Sequence, residues 1–219
     1  MRKGCPLLDF NSQQFSDFQL DAMREVGNVG AGHAATALSQ MVGRPIGMSI
    51  TQVQILPTEQ IAEFLGGEQA DVAAVYMPVY GDICGVVLIF FPIDILPDLA
   101  GLLLKRDSQA NQELSDLDRS AIKELGSILT GSYLSALYRF IHVQMIHGVP
   151  TLVIDMAQAI LDTVLVDLEQ KDDFAIVIET RLTENERRLT GRFFLLPEAG
   201  TLPKLFNAFT QSIETPGNA

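Results

Sequence analysis

Glu25 and Asn28 stand one helical turn apart in the segment Glu25-Val26-Gly27-Asn28-Val29-Gly30-Ala31-Gly32. The segment Glu124-Leu125-Gly126-Ser127-Ile128-Leu129-Thr130-Gly131 echoes it 99 residues later. A carboxamide carries both donor and acceptor atoms and so can orient a water molecule, and a carboxylate can anchor a lysine. Neither is a strong nucleophile or a tuned acid–base pair. Together they suit a site whose reactive group and metal belong to a partner. Phosphoryl hydrolysis fits, because its catalysis is mainly positioning and electrostatics around a water. An isolated Glu-x-x-Asn is ordinarily just a solvated helix face. Here the glutamate recurs in register, and Asn28 is an indifferent helix former. Gly27, Gly30 and Gly32 each cost about 1 kcal/mol against alanine inside a helix.

Two long helices must position these residues. The first is expected to start at Ser16, with Gln19 closing a capping box, and the second at Ser115 with Asp118. Met23, Val26, Gly30, Ala34, Ala37 and Met41 form an apolar stripe at helical spacing on the first helix. Ile122, Leu125, Leu129, Tyr133, Ala136 and Phe140 do so on the second. Asp21, Glu25, Asn28 and Gly32 share the opposite face of one helix, and Ser120, Glu124, Ser127 and Gly131 that of the other. Gly30 is expected to pack closely on a sheet, whereas Gly32 leaves a bare patch for a partner's backbone.

After each long helix the period changes to that of strands. Strands are expected over 46–56, 71–79 and 83–91, then over 151–155, 174–182 and 189–196. Helices are expected over 59–65, 92–104, 157–167 and 197–209, with Pro92 and Pro197 in first-turn positions. The expected fold is α+β: a pseudo-twofold duplication with a six-stranded, mainly antiparallel sheet flanked by helices, the two long helices carrying the active faces. One domain over 1–219 would contain two repeats, about 15–104 and 114–209, with a lead-in over 1–14, a polar link over 105–113 and a flexible tail over 210–219. Pairing the halves would cover exposed sheet edges and join thin cores.

Hydrophobic residues make up 47% of the chain and charged residues 19%, a balance that favours a packed core over disorder. The net charge of −12 disfavours nucleic acid and anionic lipid surfaces as partners. No apolar run approaches a membrane span, and the residues after Met1 lack the apolar stretch of a signal peptide. Cys5 and Cys84 read as reduced thiols, so a cytoplasmic location is expected. His33, His142 and His147 suggest no ligand cluster, and no phosphate-binding glycine loop is present.

Asp21-x-x-x-Glu25-x-x-Asn28, followed by Gly30-Ala31-Gly32-His33-Ala34-Ala35-Thr36-Ala37-Leu38-Ser39, resembles the first helix of the CheC, CheX and FliY family, and Glu124 through Leu137 resembles its second. The resemblance covers essentially the whole chain. It implies a phosphatase that removes phosphate from the aspartate of a CheY-like receiver in chemotaxis. Glu25 would pair with a receiver lysine and Asn28 would position the attacking water. The receiver would bring its own Mg²⁺, so no cofactor of the chain's own is implied. Asp21, Gly32, Ser120 and Gly131 would contact the partner. A CheD-like deamidase is a second implied partner. In the family's pattern a proline follows the asparagine, at a spacing that falls on Thr51 here and on Pro150 in the second copy. Thr51 is expected to alter only a strand entry. Ser127 replaces the second asparagine, and its hydroxyl is shorter and lacks separate donor and acceptor atoms at amide reach. The pair Glu124 and Ser127 is therefore expected to be degenerate. The alternative reading is a non-catalytic module that binds phosphorylated receiver or a CheD-like deamidase.

Overall fold

A computed structural model describes residues 17–107, 113–168, 174–184, 187–198 and 201–214. Its elements run α1 (Asp17–Val42), β1 (Gly47–Pro57), α2 (Ile61–Phe64), β2 (Asp71–Gly81), β3 (Gly85–Pro92) and α3 (Leu96–Leu103) in the first half. The second half runs α4 (Asp116–Ile141), β4 (Met145–His147), β5 (Thr151–Met156), α5 (Ala157–Asp167), β6 (Phe174–Glu184), β7 (Arg187–Pro197) and α6 (Leu202–Glu214). The two long helices begin and end at the same offset as their motifs. The capping box expected at Ser16 lies outside the described residues.

All strand pairs are antiparallel and belong to one sheet, in the order β1-β6-β7-β3-β2, with β4 and β5 both pairing with β2. Each half thus lends its first strand to the hairpin of the other. Among the described residues seven strands replace the expected six, because the counterpart of β1 is broken. Gly148, Val149 and Pro150 interrupt it, leaving β4 and β5 as two pieces of one edge. Proline lacks the N–H that a ladder needs.

Alternation along the strands divides the core between the sheet's two faces. Val75, Met77, Val87, Ile89, Ile178, Phe193 and Leu195 point to the face covered by α1, α3, α4 and α6. Ala74, Leu88, Phe90, Val177, Phe194 and Leu196 point to the other, covered by α2 and α5. Burial on both faces explains the unbroken apolar run from Val86 to Phe91.

The long helices pack on each other as well as on the sheet. In α1 the buried seam is Met23, Val26, Gly30, Ala31, Ala34, Leu38 and Val42, with Ala37 and Met41 of the expected stripe outside it. In α4 the expected stripe is buried except for half-buried Phe140. A Cβ on Gly30 would lie 2.6 Å from Tyr133 Cδ1, so Gly30 serves the approach of α4 rather than contact with the sheet. The Tyr133 hydroxyl bonds Thr180 Oγ1 at 2.7 Å, and burial raises its pKa to about 12 against the lowering effect of that bond.

The chain departs from the expected organisation in several places. Pro92 and Pro197 end strands, and it is Pro97 and Pro203 that occupy the first turns of α3 and α6. Helix α6 continues to Glu214, into the segment expected to be a tail. Arg106, expected in a solvated link, is half-buried and ion-paired with Asp118.

Asp118 closes the capping box at the start of α4. Its backbone N–H donates to Ser115 Oγ at 3.3 Å, and its Oδ2 accepts from Ser115 N at 3.0 Å. Burial alone would raise the Asp118 pKa, but the bonds from Ser115 and then Arg106 outweigh it and hold the carboxyl below its ordinary 3.8. A depressed carboxylate contributes stability above its unfolded pKa and loses it as pH falls through the folded value. Asp118→Asn should therefore cost about 2 kcal/mol at neutral pH. In urea unfolding, the gap between variant and wild type should narrow as pH drops below 3.8.

Candidate functional site

Asp21, Glu25, Asn28 and Gly32 all lie exposed along one face of α1. Glu25 has no hydrogen-bond or ion-pair partner among the described residues, so its carboxylate is available to a cation on another molecule. Asp21 is engaged by Arg24 at 3.1 Å, an exposed i, i+3 pair of little energetic weight. A Cβ on Gly32 would meet nothing within 4 Å, which makes that turn a bare stretch of helix backbone.

Among the described residues Asn28 has one polar tie. Its Oδ1 accepts the backbone N–H of Ile50 at 3.1 Å. Because the donor is a backbone amide, the atom facing it must be the oxygen, and the orientation of the carboxamide is settled by chemistry. Nδ2, with its two protons, is left on the other side. The free N–H of Ile50 has a structural origin. Strand β1 is the edge of the sheet, so one side of its backbone has no strand to pair with. Helix α1 lies close over this edge: a Cβ on Gly27 would be 3.1 Å from Ile50 Cδ1.

The register along β1 slips beside this contact. Ile50 pairs with Thr180 and Gln52 with Glu179, leaving Thr51 as a bulged residue between them. Thr51 is therefore inside the strand, four residues after its start at Gly47, and does not mark a strand entry. Its counterpart 99 residues later is Pro150, where the other edge strand breaks.

Beside Glu25 a groove of about 470 Å³ runs between α1, α4 and α6. Val26, Val29, Ala136, Phe140 and Ile213 make it mainly apolar, and Arg139 also lines it. Val29 is 46% exposed there, an apolar side chain next in sequence to Asn28.

The second face is built differently. Ser120 and Glu124 are exposed, but Ser127 and Gly131 are half-buried. Among the described residues Ser127 makes no bond to Val149, the counterpart of Ile50. A Cβ on Gly126 would lie 2.6 Å from Val75 Cγ1 of β2, where its counterpart Gly27 faces the edge strand. At this point helix α4 therefore meets β2, the strand next to the broken edge. Gly131 is backed by His147, whose Nδ1 lies 2.9 Å from the carbonyl oxygen of Gly148. Among the described residues, no three His, Cys, Asp or Glu side chains gather in a way that could hold a metal ion. Nor is any described helix long and apolar enough to cross a membrane.

The spacing of Glu25, Asn28 and Gly32 is sufficient to place them on one face. The groove and the Ile50 tie depend on contacts between distant segments and carry no local signal. The Thr51 bulge does leave a trace, since its counterpart in the repeat is a proline.

A family model described as the CheC-like family matches residues 18–49, from α1 to the approach of the bulge. Over 199 residues the chain is 32% identical to the CheY-P phosphatase CheC of Bacillus subtilis (strain 168), spanning 89% of this chain and 95% of that protein. The chain belongs to the CheC-like family. Among solved structures, FliY of Thermotoga maritima matches with a TM-score of 0.73 at 17% identity, covering 91% of this chain and 99% of that one. The FliM middle domain from H. pylori matches at 0.64 with 12% identity, covering 88% and 99%. At such identities the likeness is one of fold.

Two glycines on opposite sides of α1 should respond oppositely to alanine. Gly32→Ala fills open space and gains helix propensity, so it should stabilise by about 1 kcal/mol. Gly30→Ala collides with a buried ring and should destabilise by about 1–3 kcal/mol. Denaturant midpoints of the two variants check both signs.

Proposed function

We propose that this chain hydrolyses the aspartyl phosphate of a CheY-like receiver, with its competent site at Glu25 and Asn28. The observation that carries the reading is the tethered carboxamide of Asn28 beside a carboxylate with no partner among the described residues. Near-full-length kinship with a protein named CheY-P phosphatase supports the substrate class.

In this reading Glu25 pairs with a lysine on the receiver and brings α1 against its phosphorylated aspartate. Asn28 enters beside the acyl phosphate. Its Nδ2 protons and the second lone pair of Oδ1 remain free to hold a water in line with the bond to be broken. The water oxygen attacks phosphorus, the bond from phosphorus to the acyl oxygen breaks, and the aspartate leaves as carboxylate. Phosphate departs carrying both protons of the water, and no covalent intermediate forms on this protein. The Mg²⁺ that neutralises the developing charge belongs to the receiver. The bare turn at Gly32 admits the receiver's backbone, and Val29 enters the contact as its apolar component. We assign the second face, with Glu124 and Ser127, a binding role: its hydroxyl is half-buried and has no tether like that of Asn28.

The test is the lifetime of a phosphorylated receiver with Mg²⁺ present. Asn28→Ala should slow phosphate release by about a hundredfold, chiefly in kcat, as expected for a group that positions the reacting water. Glu25→Ala should raise KM about tenfold with less effect on kcat. A wild-type protein that leaves the receiver's lifetime unchanged would overturn the reading. Ser127→Asn should raise turnover above wild type; no gain, in a variant that still binds receiver at both faces, would contradict the degenerate second site.

A further inference from the structure

The tie that orients Asn28 is only as firm as the backbone of Ile50, and that backbone adjoins a bulge. A bulged residue is left out of the ladder, so something else must fix its position. In this chain that role falls to a side chain on the neighbouring strand. Thr51 Oγ1 donates to Glu179 Oε1 at 2.9 Å, with the Glu179 carbonyl oxygen at 3.2 Å. Glu179 is in turn placed by its neighbours on β7 and α2. Arg192 Nε lies 3.7 Å from Glu179 Oε2, and the Arg192 guanidinium lies 4.9 Å from the centre of the Phe64 ring. Phe64 and Val177 belong to the core on the α2 side, and Glu179 shares the face of Val177 by alternation. The bulge is thus gripped from the face of the sheet opposite α1.

We propose that Thr51, held by Glu179, is a positioning residue for Asn28. It fixes the bulge so that the Ile50 N–H stays within reach of Oδ1. At 3.1 Å that bond is near the long end of its range, and a shift of about half an ångström at Ile50 would break it. The repeat supplies the comparison. At the same place in the second half, Pro150 stiffens the chain covalently, without any side-chain bond. Both restrict the backbone at this position, one through a side-chain bond and the other through its ring, and an unpaired bulge position tolerates the missing N–H of proline.

The proposal rests on the reading of Asn28 as the residue that holds water, and the experiment separates the two. Steady-state turnover of a phosphorylated CheY-like receiver is measured with Mg²⁺ for the full chain and for Thr51→Val, Thr51→Pro, Glu179→Ala and Glu179→Gln. The hydrogen exchange rate of the Ile50 amide is followed by NMR in the same proteins. Thr51→Val and Glu179→Ala should lower kcat about fivefold, the factor that a net hydrogen bond is worth, with KM unchanged and Ile50 exchange accelerated. Thr51→Pro and Glu179→Gln, which keep a stiff bulge or an acceptor for the hydroxyl, should stay within about twofold of wild type in both. A wild-type kcat in Thr51→Val, or a loss in Thr51→Pro as large as in Thr51→Val, would overturn the proposal, as would a change in KM alone. Should Thr51→Val fail to fold, Glu179→Ala and Thr51→Pro decide it. If the wild-type protein does not hydrolyse receiver phosphate, the functional reading fails, and the Ile50 exchange rates alone decide whether Thr51 fixes the bulge.

Discussion

The constraint on which this structure turns is the edge of its sheet. A strand at an edge leaves backbone N–H groups without partners, and such groups must be covered or capped. Each half of the duplication gives its first strand to the hairpin of the other, so the fused chain has two edges, β1 and the broken β4–β5. At β1 one outward N–H, that of buried Ile50, is capped by a side chain of the adjoining helix. The same bond that satisfies the edge also orients a carboxamide on the protein surface. One interaction thus serves both the edge of the sheet and the placement of Asn28.

The opposite edge meets the need differently. Proline removes a donor and splits the strand, Gly126 of α4 meets β2 where Gly27 of α1 meets its edge strand, and a half-buried serine stands where the carboxamide would be. The asymmetry between the halves is therefore in the backbone as well as in the side chain. An asparagine in place of Ser127 would restore the carboxamide, held less firmly than that of Asn28. The long helices and the hairpins are alike in the two halves, because burial on both faces of the sheet allows little change.

Much of this is legible in the sequence, for reasons that differ by residue. Glu25, Asn28 and Gly32 share a face because helix periodicity is a local property, and the apolar strands are evident because a doubly covered sheet needs unbroken apolar runs. The offset between Glu25 and Glu124 reveals the pseudo-symmetry. What escapes is non-local. Gly30 suggests packing on the sheet, but its neighbour is Tyr133 on the other long helix, far away in the chain. Arg106 looks like a solvated link residue until Asp118 is seen beside it. Thr51 looks like a change at a strand entry, because the bulge exists only relative to β6. No local pattern records which strand a residue will be out of step with.

The central claim is that the carboxamide nitrogen of Asn28 helps to hold the water that attacks the receiver's phosphate while its oxygen is held by Ile50. Asn28→Asp tests it most directly, since a carboxylate oxygen can still accept the Ile50 N–H but no amide donor remains. The measurement is the lifetime of a phosphorylated receiver with this variant, alongside the exchange rate of the Ile50 amide. The account predicts that the Ile50 amide stays protected while hydrolysis falls to the receiver's own rate. Protection retained together with wild-type hydrolysis would contradict it.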